Sequence, residues 1–339
     1  MRKLGGLFVL LAILAGAVYV LGPQPGSHEK VSIVIHRGGT SRSIADSLSR
    51  HDIISLRPVF LALLKWSGTS RRIHAGRYTF SKREGAIAAV FELATVRPKE
   101  IAVTIPEGLT VEQTAARIAP ALSFDTTEFI DLCRDSAFTA AVAPSGAASL
   151  EGFLFPDTYA FTDGTTPAEA IRRMAGQFRQ KWAMIDTGLL SPRSLSEVQI
   201  VTLASIVEKE AAVASERPRI AGVFYNRIRI GMSLGADPTV RYVFKKFSGP
   251  LLASELNTES PYNTRRHAGL PPGPICSPGL ASLQAALSPL QTNELYFVAK
   301  WDGSGEHEFS TTNEEHNRKK MVIRYHNVRR LRQKGLQVQ

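Results

Sequence analysis

The stretch Ser196-Glu197-Val198-Gln199-Ile200-Val201-Thr202-Leu203-Ala204-Ser205-Ile206-Val207-Glu208-Lys209-Glu210-Ala211 sets two acids at the end of a mostly apolar run. Ser196 with Gln199 three residues on has the spacing of a capping box, which predicts a helix start here. Pro218 predicts that the helical run stops after Ser215 and Glu216. At about 100° per residue, Ile200, Leu203, Val207, Ala211 and Ala214 share one side. Glu210 falls roughly 30° from the centre of that stripe, beside Leu203, Ile206 and Val207, while Glu208 lies roughly 160° away around the axis. A carboxyl on the apolar side is either half of a structural ion pair or an acid whose pKa is lifted by desolvation. The second suits a general acid. The helix alone leaves both open, and the structural pair is the commoner case.

The whole chain bounds the choice. Its 339 residues leave room for more than one domain, and 44% apolar content supplies a core. A net charge of +11 favours anionic partners. No zinc knuckle, aromatic RNA-binding motif or helix-turn-helix signature accompanies that charge, so nucleic acid is not expected. An anionic cell-wall polymer or a membrane surface fits it. The basic tail from Arg318 to Lys334 reads as a solvated helix end. Two cysteines, Cys133 and Cys276, match no zinc spacing. His307, His316 and His326 form no HExxH pattern, so no metal or other cofactor is expected. There is no Gly-x-Ser-x-Gly elbow, phosphate loop or dinucleotide fingerprint.

Leu4 to Leu21 is an unbroken apolar run of about 18 residues, long enough to span a bilayer. Arg2 and Lys3 precede it and predict a cytoplasmic start. The run is long for a signal peptide, and no Ala-x-Ala cleavage pattern follows, so an uncleaved anchor is expected. The rest of the chain then lies outside the cytoplasm.

The expected fold class is α+β. Residues 1–22 form the cytoplasmic start and transmembrane helix, and 23–29 a linker. Residues 30–122 form small α+β modules carrying a weak repeat. One copy runs from Ile35 through Thr40 to Leu48, the other from Ile105 through Thr110 to Ile118. Each reads as a strand, a glycine turn, a capping Thr and a short helix. Residues 123–149 read as a helical connector. Residues 150–339 read as a larger mixed α/β domain, with helices over 168–186, 196–216, 280–287 and 316–333, a helix or tight turn over 220–229, and Pro- and Gly-rich loops from 231 to 278.

That last domain holds the unusual motifs. They are Glu151-Gly152-Phe153-Leu154-Phe155-Pro156-Asp157-Thr158-Tyr159, the Glu210 helix, Tyr225-Asn226-Arg227, Asp237-Pro238-Thr239-Val240, Ser260-Pro261-Tyr262-Asn263-Thr264, Gly269-Leu270-Pro271-Pro272-Gly273-Pro274-Ile275, and 307–317. Each taken singly reads first as a turn or a cap. Together they mix aromatic faces, amides and carboxyls on rigid loops, the combination that binds sugars.

These motifs, in this order, resemble the endolytic murein transglycosylase family, the MltG or YceG-like proteins. The resemblance covers nearly the whole chain. It implies a single-pass inner-membrane protein with a LysM-like module and a periplasmic lytic transglycosylase domain. Such an enzyme cuts nascent peptidoglycan between N-acetylmuramic acid and N-acetylglucosamine, leaves 1,6-anhydromuramic ends, terminates strands and works near peptidoglycan synthases. The family's catalytic acid falls on Glu210, the residue that the helical face selects. Glu151, Asp157, Glu208, Tyr225, Asn226, Asp237, Tyr262 and Asn263 are candidates for holding substrate. Ser233-Leu234-Gly235-Ala236 and Arg265-Arg266-His267 depart from the family pattern, which bears on subsites and not on the reaction. Two alternatives differ in class: a hydrolytic muramidase using Glu208, Glu151 or Asp157 as base, and a wall-binding scaffold.

Overall fold

The computed structural model describes residues 29–36, 38–185 and 195–333. The chain is a mixed α+β protein, and among the described residues the strands pair in twos. It divides into two compact units. One holds the described residues up to Val103, with Pro120–Ser123 and Tyr159–Thr166. The other holds Thr104–Ala119, Phe124–Thr158 and the chain from Pro167 on.

In the first unit the order is strand, helix, helix, strand, helix. Strand Lys30–Ile35 pairs antiparallel with Gly76–Ser81, with Ile33 opposite Tyr78 and Ile35 opposite Gly76. Period-two alternation turns Ile33, Ile35, Tyr78 and Phe80 inward, while Ser32 and Thr79 share a hydroxyl contact of 3.3 Å outside. Helix Ser41–Arg50 starts as its sequence predicts: the Thr40 hydroxyl accepts the Ser43 N–H at 3.1 Å, and Ile44, Ala45 and Leu48 face the core. Helix Arg57–Trp66, which the sequence reading missed, adds Phe60 and Leu64. Helix Ala86–Thr95 adds Ala89, Val90 and Leu93. Each fully buried Leu or Phe contributes about 1.5–3 kcal/mol.

In the second unit the helix Glu197–Glu210 is the central element. The capping box is present as predicted: the Ser196 hydroxyl accepts the Gln199 N–H, and the Gln199 side chain accepts the Ser196 N–H. The rest of the prediction is corrected. Helices Arg217–Arg229, Asp237–Phe244 and Leu280–Leu287 pack around this helix, so every residue from Ile200 to Val207 is buried. It is not an amphipathic surface helix, and both acids near its end are partly buried. The helix also stops earlier, because Ala211 is extended (φ −80°, ψ 105°). Pro218 does not end it. It sits in the first turn of the next helix, where its missing N–H costs nothing. Helix Asp237–Phe244 lies inside the stretch expected to be loop, and begins the same way with Pro238. A hairpin of Tyr296–Ala299 with His307–Ser310 carries helix Asn313–Gln333.

Among the described residues no helix is long and apolar enough to cross a membrane. The expected anchor, Leu4 to Leu21, lies outside the described residues.

Candidate active site

Glu210 is the last residue of its helix. Its side chain is largely withdrawn from water, and it stands at the negative end of the helix dipole, an unfavourable place for a carboxylate. Its pKa is pushed up to about 7, first by burial and then by the charge of Asp237, against the opposing charge of Arg227. Among the described residues no hydrogen bond or salt bridge reaches its carboxyl. The group therefore holds its proton over much of the neutral range and can also release it.

The two charges beside it are fixed differently. Asp237 opens helix Asp237–Phe244, half-exposed, with its Oδ1 2.7 Å from Arg265 Nη1. Arg227 reaches in from helix Arg217–Arg229. Its Nε donates to the Leu295 carbonyl at 2.6 Å and its Nη1 to the Leu234 carbonyl at 2.5 Å. Its guanidinium carbon lies 5.5 Å from the centre of the Tyr296 ring. Arg227 stands in the Tyr225-Asn226-Arg227 motif, where the sequence assigns it no role. Its only local signal was an Arg beside Asn226 on the same helix.

Glu208, two residues back, is in a different situation. Its Oε2 accepts the Ser282 hydroxyl at 2.6 Å and the Gly279 N–H at 3.1 Å. Its Oε1 is 3.7 Å from Arg217 Nη2, and the side chain is 8% exposed. It ties the central helix to the start of Leu280–Leu287. Gly279 lies against Glu107, whose carboxylate would have to move to admit a Cβ there. Burial, followed by the nearby Glu208, raises the pKa of Glu107.

Glu151 is buried beneath helix Val111–Leu122, whose first N–H, from Val111, points at its two oxygens at 3.2 and 3.3 Å. The Tyr242 hydroxyl donates to Glu151 Oε2 at 3.3 Å. Burial pushes the Glu151 pKa up to about 8, despite these hydrogen bonds. The next residue, Gly152, has φ +87° and lies so close to Pro274 that a Cβ would come within 2.4 Å of it. That contact joins two motifs far apart in sequence.

The other candidates have structural partners. Asp157 accepts Gln177 Nε2 at 2.7 Å and the Thr158 N–H at 2.8 Å. The Tyr225 hydroxyl donates to the Ala286 carbonyl at 2.9 Å. Asn226 Nδ2 donates to the carbonyls of Thr292 and Glu294 at 2.7 and 3.0 Å. Asn263, fully buried, holds its own loop through the carbonyls of Leu256 and Thr258 and the Arg265 N–H. That loop presents Tyr262, whose ring centre is 5.1 Å from that of Tyr242. The structure thus gathers Glu210, Asp237 and Arg227 in one place. Glu151 and Tyr262 meet at Tyr242 in another. His307 is held by Glu216, with Nδ1 2.7 Å from Oε2, and His316 stacks on Tyr296. Cys133 and Cys276 are both buried and unpaired.

A carboxyl with a raised pKa at the end of a buried helix, flanked by one acid and one arginine, is a candidate general-acid site on a mixed α+β scaffold. The comparisons with known proteins agree on one family. The YceG-like family matches residues 33–321. The endolytic murein transglycosylase of Bacillus subtilis is 33% identical over 325 residues, covering 91% of this chain and 89% of that protein. The one from Streptococcus pneumoniae is 28% identical over 349 residues, covering 91% of this chain and 63% of that longer protein. The crystal structure of a YceG-like protein from Listeria monocytogenes superposes with a TM-score of 0.59 at 31% identity, over 86% of this chain and 99% of that one. The chain belongs to the YceG-like family.

Proposed function

We propose that this chain is a peptidoglycan lytic transglycosylase with Glu210 as its single acid and base. The observation that carries the reading is a carboxyl with a pKa raised to about 7 and no hydrogen-bonding partner among the described residues. The names of the relatives, endolytic murein transglycosylases, supply the substrate class. Protonated Glu210 gives its proton to the glycosidic oxygen between N-acetylmuramic acid and N-acetylglucosamine. The C1–O bond breaks through an oxocarbenium-like transition state. The resulting carboxylate takes the proton of the muramic 6-hydroxyl, whose oxygen closes onto C1. The product is a 1,6-anhydromuramic end, and no water is consumed. A second catalytic carboxylate is then not required. Arg227 stabilises the carboxylate that exists between the two proton transfers, and Asp237 keeps the resting acid protonated.

An endolytic cut of this kind would end nascent strands beside the synthases that make them. We read Leu4 to Leu21 as a single-pass anchor in the inner membrane, with the start cytoplasmic and the remainder periplasmic. The apolar run and its flanking Arg2 and Lys3 support this. The strand–helix–helix–strand order of the first unit supports a LysM-like, glycan-holding part.

Asp237 beside Glu210 is the observation that would favour the hydrolytic alternative, since a muramidase pairs two carboxyls. Mass analysis of products from uncrosslinked glycan separates the two. Transglycosylase products carry anhydro ends, whereas a hydrolase leaves reducing ends heavier by one water. Binding without turnover would instead leave only a scaffold.

A further inference from the structure

A cavity of about 470 Å³ in the second unit lies apart from the carboxyl of Glu210 and is walled by Tyr242 and Tyr262, with Glu112, Arg134 and Lys245 at its rim. We propose that it is a second saccharide site, one that takes an amino-sugar ring bearing a carboxylate, as in a muramoyl residue with its acidic peptide. This inference rests on peptidoglycan being the substrate, and names where a further part of the strand is held.

The aromatic wall is rigid. Tyr242 cannot turn freely, because its hydroxyl is spent on buried Glu151, which is itself fixed to the start of helix Val111–Leu122. Tyr262 is held by the Asn263-braced loop, with its hydroxyl 3.2 Å from where a Cβ on Gly273 would stand. The rings meet at 5.1 Å with a 43° tilt, and both remain partly open to solvent. Fixed aromatic faces in a concave wall suit the flat apolar face of a pyranose ring and lose little entropy on binding.

The rim supplies the second element of recognition. Glu112 Oε1 pairs with both Lys245 at 2.9 Å and Arg134, so two cations share one carboxylate. One positive charge is left over at the mouth of the cavity, and both cations are exposed enough to reach a ligand. A carboxylate substituent would complete the pairing.

The test uses the full-length chain in detergent and two probes. Muramyl dipeptide carries a free carboxylate, and N,N′-diacetylchitobiose does not. Affinities are measured by saturation-transfer NMR. Tyr262→Ala should weaken both probes by about tenfold, while Tyr262→Phe should bind both as the wild type does, which controls for folding. Lys245→Met should weaken only muramyl dipeptide, by about fivefold, with recovery in Lys245→Arg. Wild-type affinity for muramyl dipeptide in both Tyr262→Ala and Lys245→Met overturns the proposal, as does a wild-type chain that binds neither probe. The two readings fail separately. If Glu210→Gln abolishes anhydro ends while Lys245→Met binds muramyl dipeptide normally, the cavity falls and the reaction stands. If Lys245→Met loses binding while Glu210→Gln still cleaves, the catalytic reading falls and the cavity stands.

Discussion

Glu208 and Glu210 are two residues apart on one helix, yet they live in opposite chemical circumstances. Glu208 is almost completely covered, and its oxygens are met by Ser282, the Gly279 N–H and Arg217. Glu210 is also largely withdrawn from water, but among the described residues no hydrogen bond or salt bridge meets its carboxyl, and its pKa rises to about 7 against the opposing charge of Arg227. Burial alone therefore does not mark a functional acid. Burial without a hydrogen bond or ion pair does, because a protein that only needed stability would pair the group or replace it with an apolar side chain. Glu151 shows the intermediate case: hydrogen-bonded by Val111 and Tyr242, but raised to about 8 all the same.

The comparison can be broken most strongly at Glu210. Glu210→Gln removes the proton donor and should lower turnover by about 10²–10⁴-fold. Its thermal melting should stay at or above that of the wild type, since an uncompensated acid is lost. A large fall in melting temperature would mean that Glu210 is a structural group after all.

Glu208 should behave in the reverse way. Glu208→Ala leaves Arg217 and the Gly279 N–H without their acceptor and should cost about 2–4 kcal/mol in a denaturant titration. Turnover per folded molecule should change far less than in Glu210→Gln. A catalytic loss matching that of Glu210→Gln would put both acids in the reaction.

Glu151 sharpens the comparison through pH. Its native pKa of about 8 exceeds the ordinary carboxyl value of 4.5, so the native state holds a proton that the unfolded state releases between those values. Stability contributed by this group is present below about pH 4.5 and is lost as the pH rises toward 8. Glu151→Gln should flatten that decline, leaving the variant more stable relative to wild type at pH 9 than at pH 5, by about 1–3 kcal/mol. Parallel pH–stability curves for the two proteins would contradict this.

The smallest effect is expected at Asp237. Its charge raises the Glu210 pKa, so Asp237→Asn should move the alkaline limb of the activity profile to lower pH, by about half a pH unit. Arg227 acts with the opposite sign, and Arg227→Gln should move the limb upward. Shifts in the same direction in both variants would remove the electrostatic account of the site.

Much of this was legible in the sequence, for local reasons. The capping box at Ser196 and Gln199 is a contiguous signal, and it formed. The Thr40 cap and the inward positions of Ile44 and Leu48 follow from the same short-range chemistry. What failed was whatever depended on distant partners. The helix stops at Ala211 where no glycine or proline announces it, and Pro218, the strongest punctuation nearby, serves the next helix instead. Helix Asp237–Phe244 was hidden among Gly- and Pro-rich loops, and Pro238 within it is tolerated because it sits in the first turn. The difference between Glu208 and Glu210 could not be read from helical angles alone. It is made by Gly279 and Ser282, about 70 residues away, and by helices that surround the Glu210 helix on several sides. Arg227 was overlooked because its role depends on the Leu234 and Leu295 carbonyls that aim it.

The central claim is that Glu210 carries a proton near neutral pH. Carboxyl-carbon NMR on chain labelled at glutamate, with the Glu210 resonance assigned by its loss in Glu210→Gln, measures this directly. The account predicts a titration midpoint for Glu210 at about 7, well above the ordinary value of 4.5. A Glu210 resonance that titrates with the exposed glutamates would contradict it.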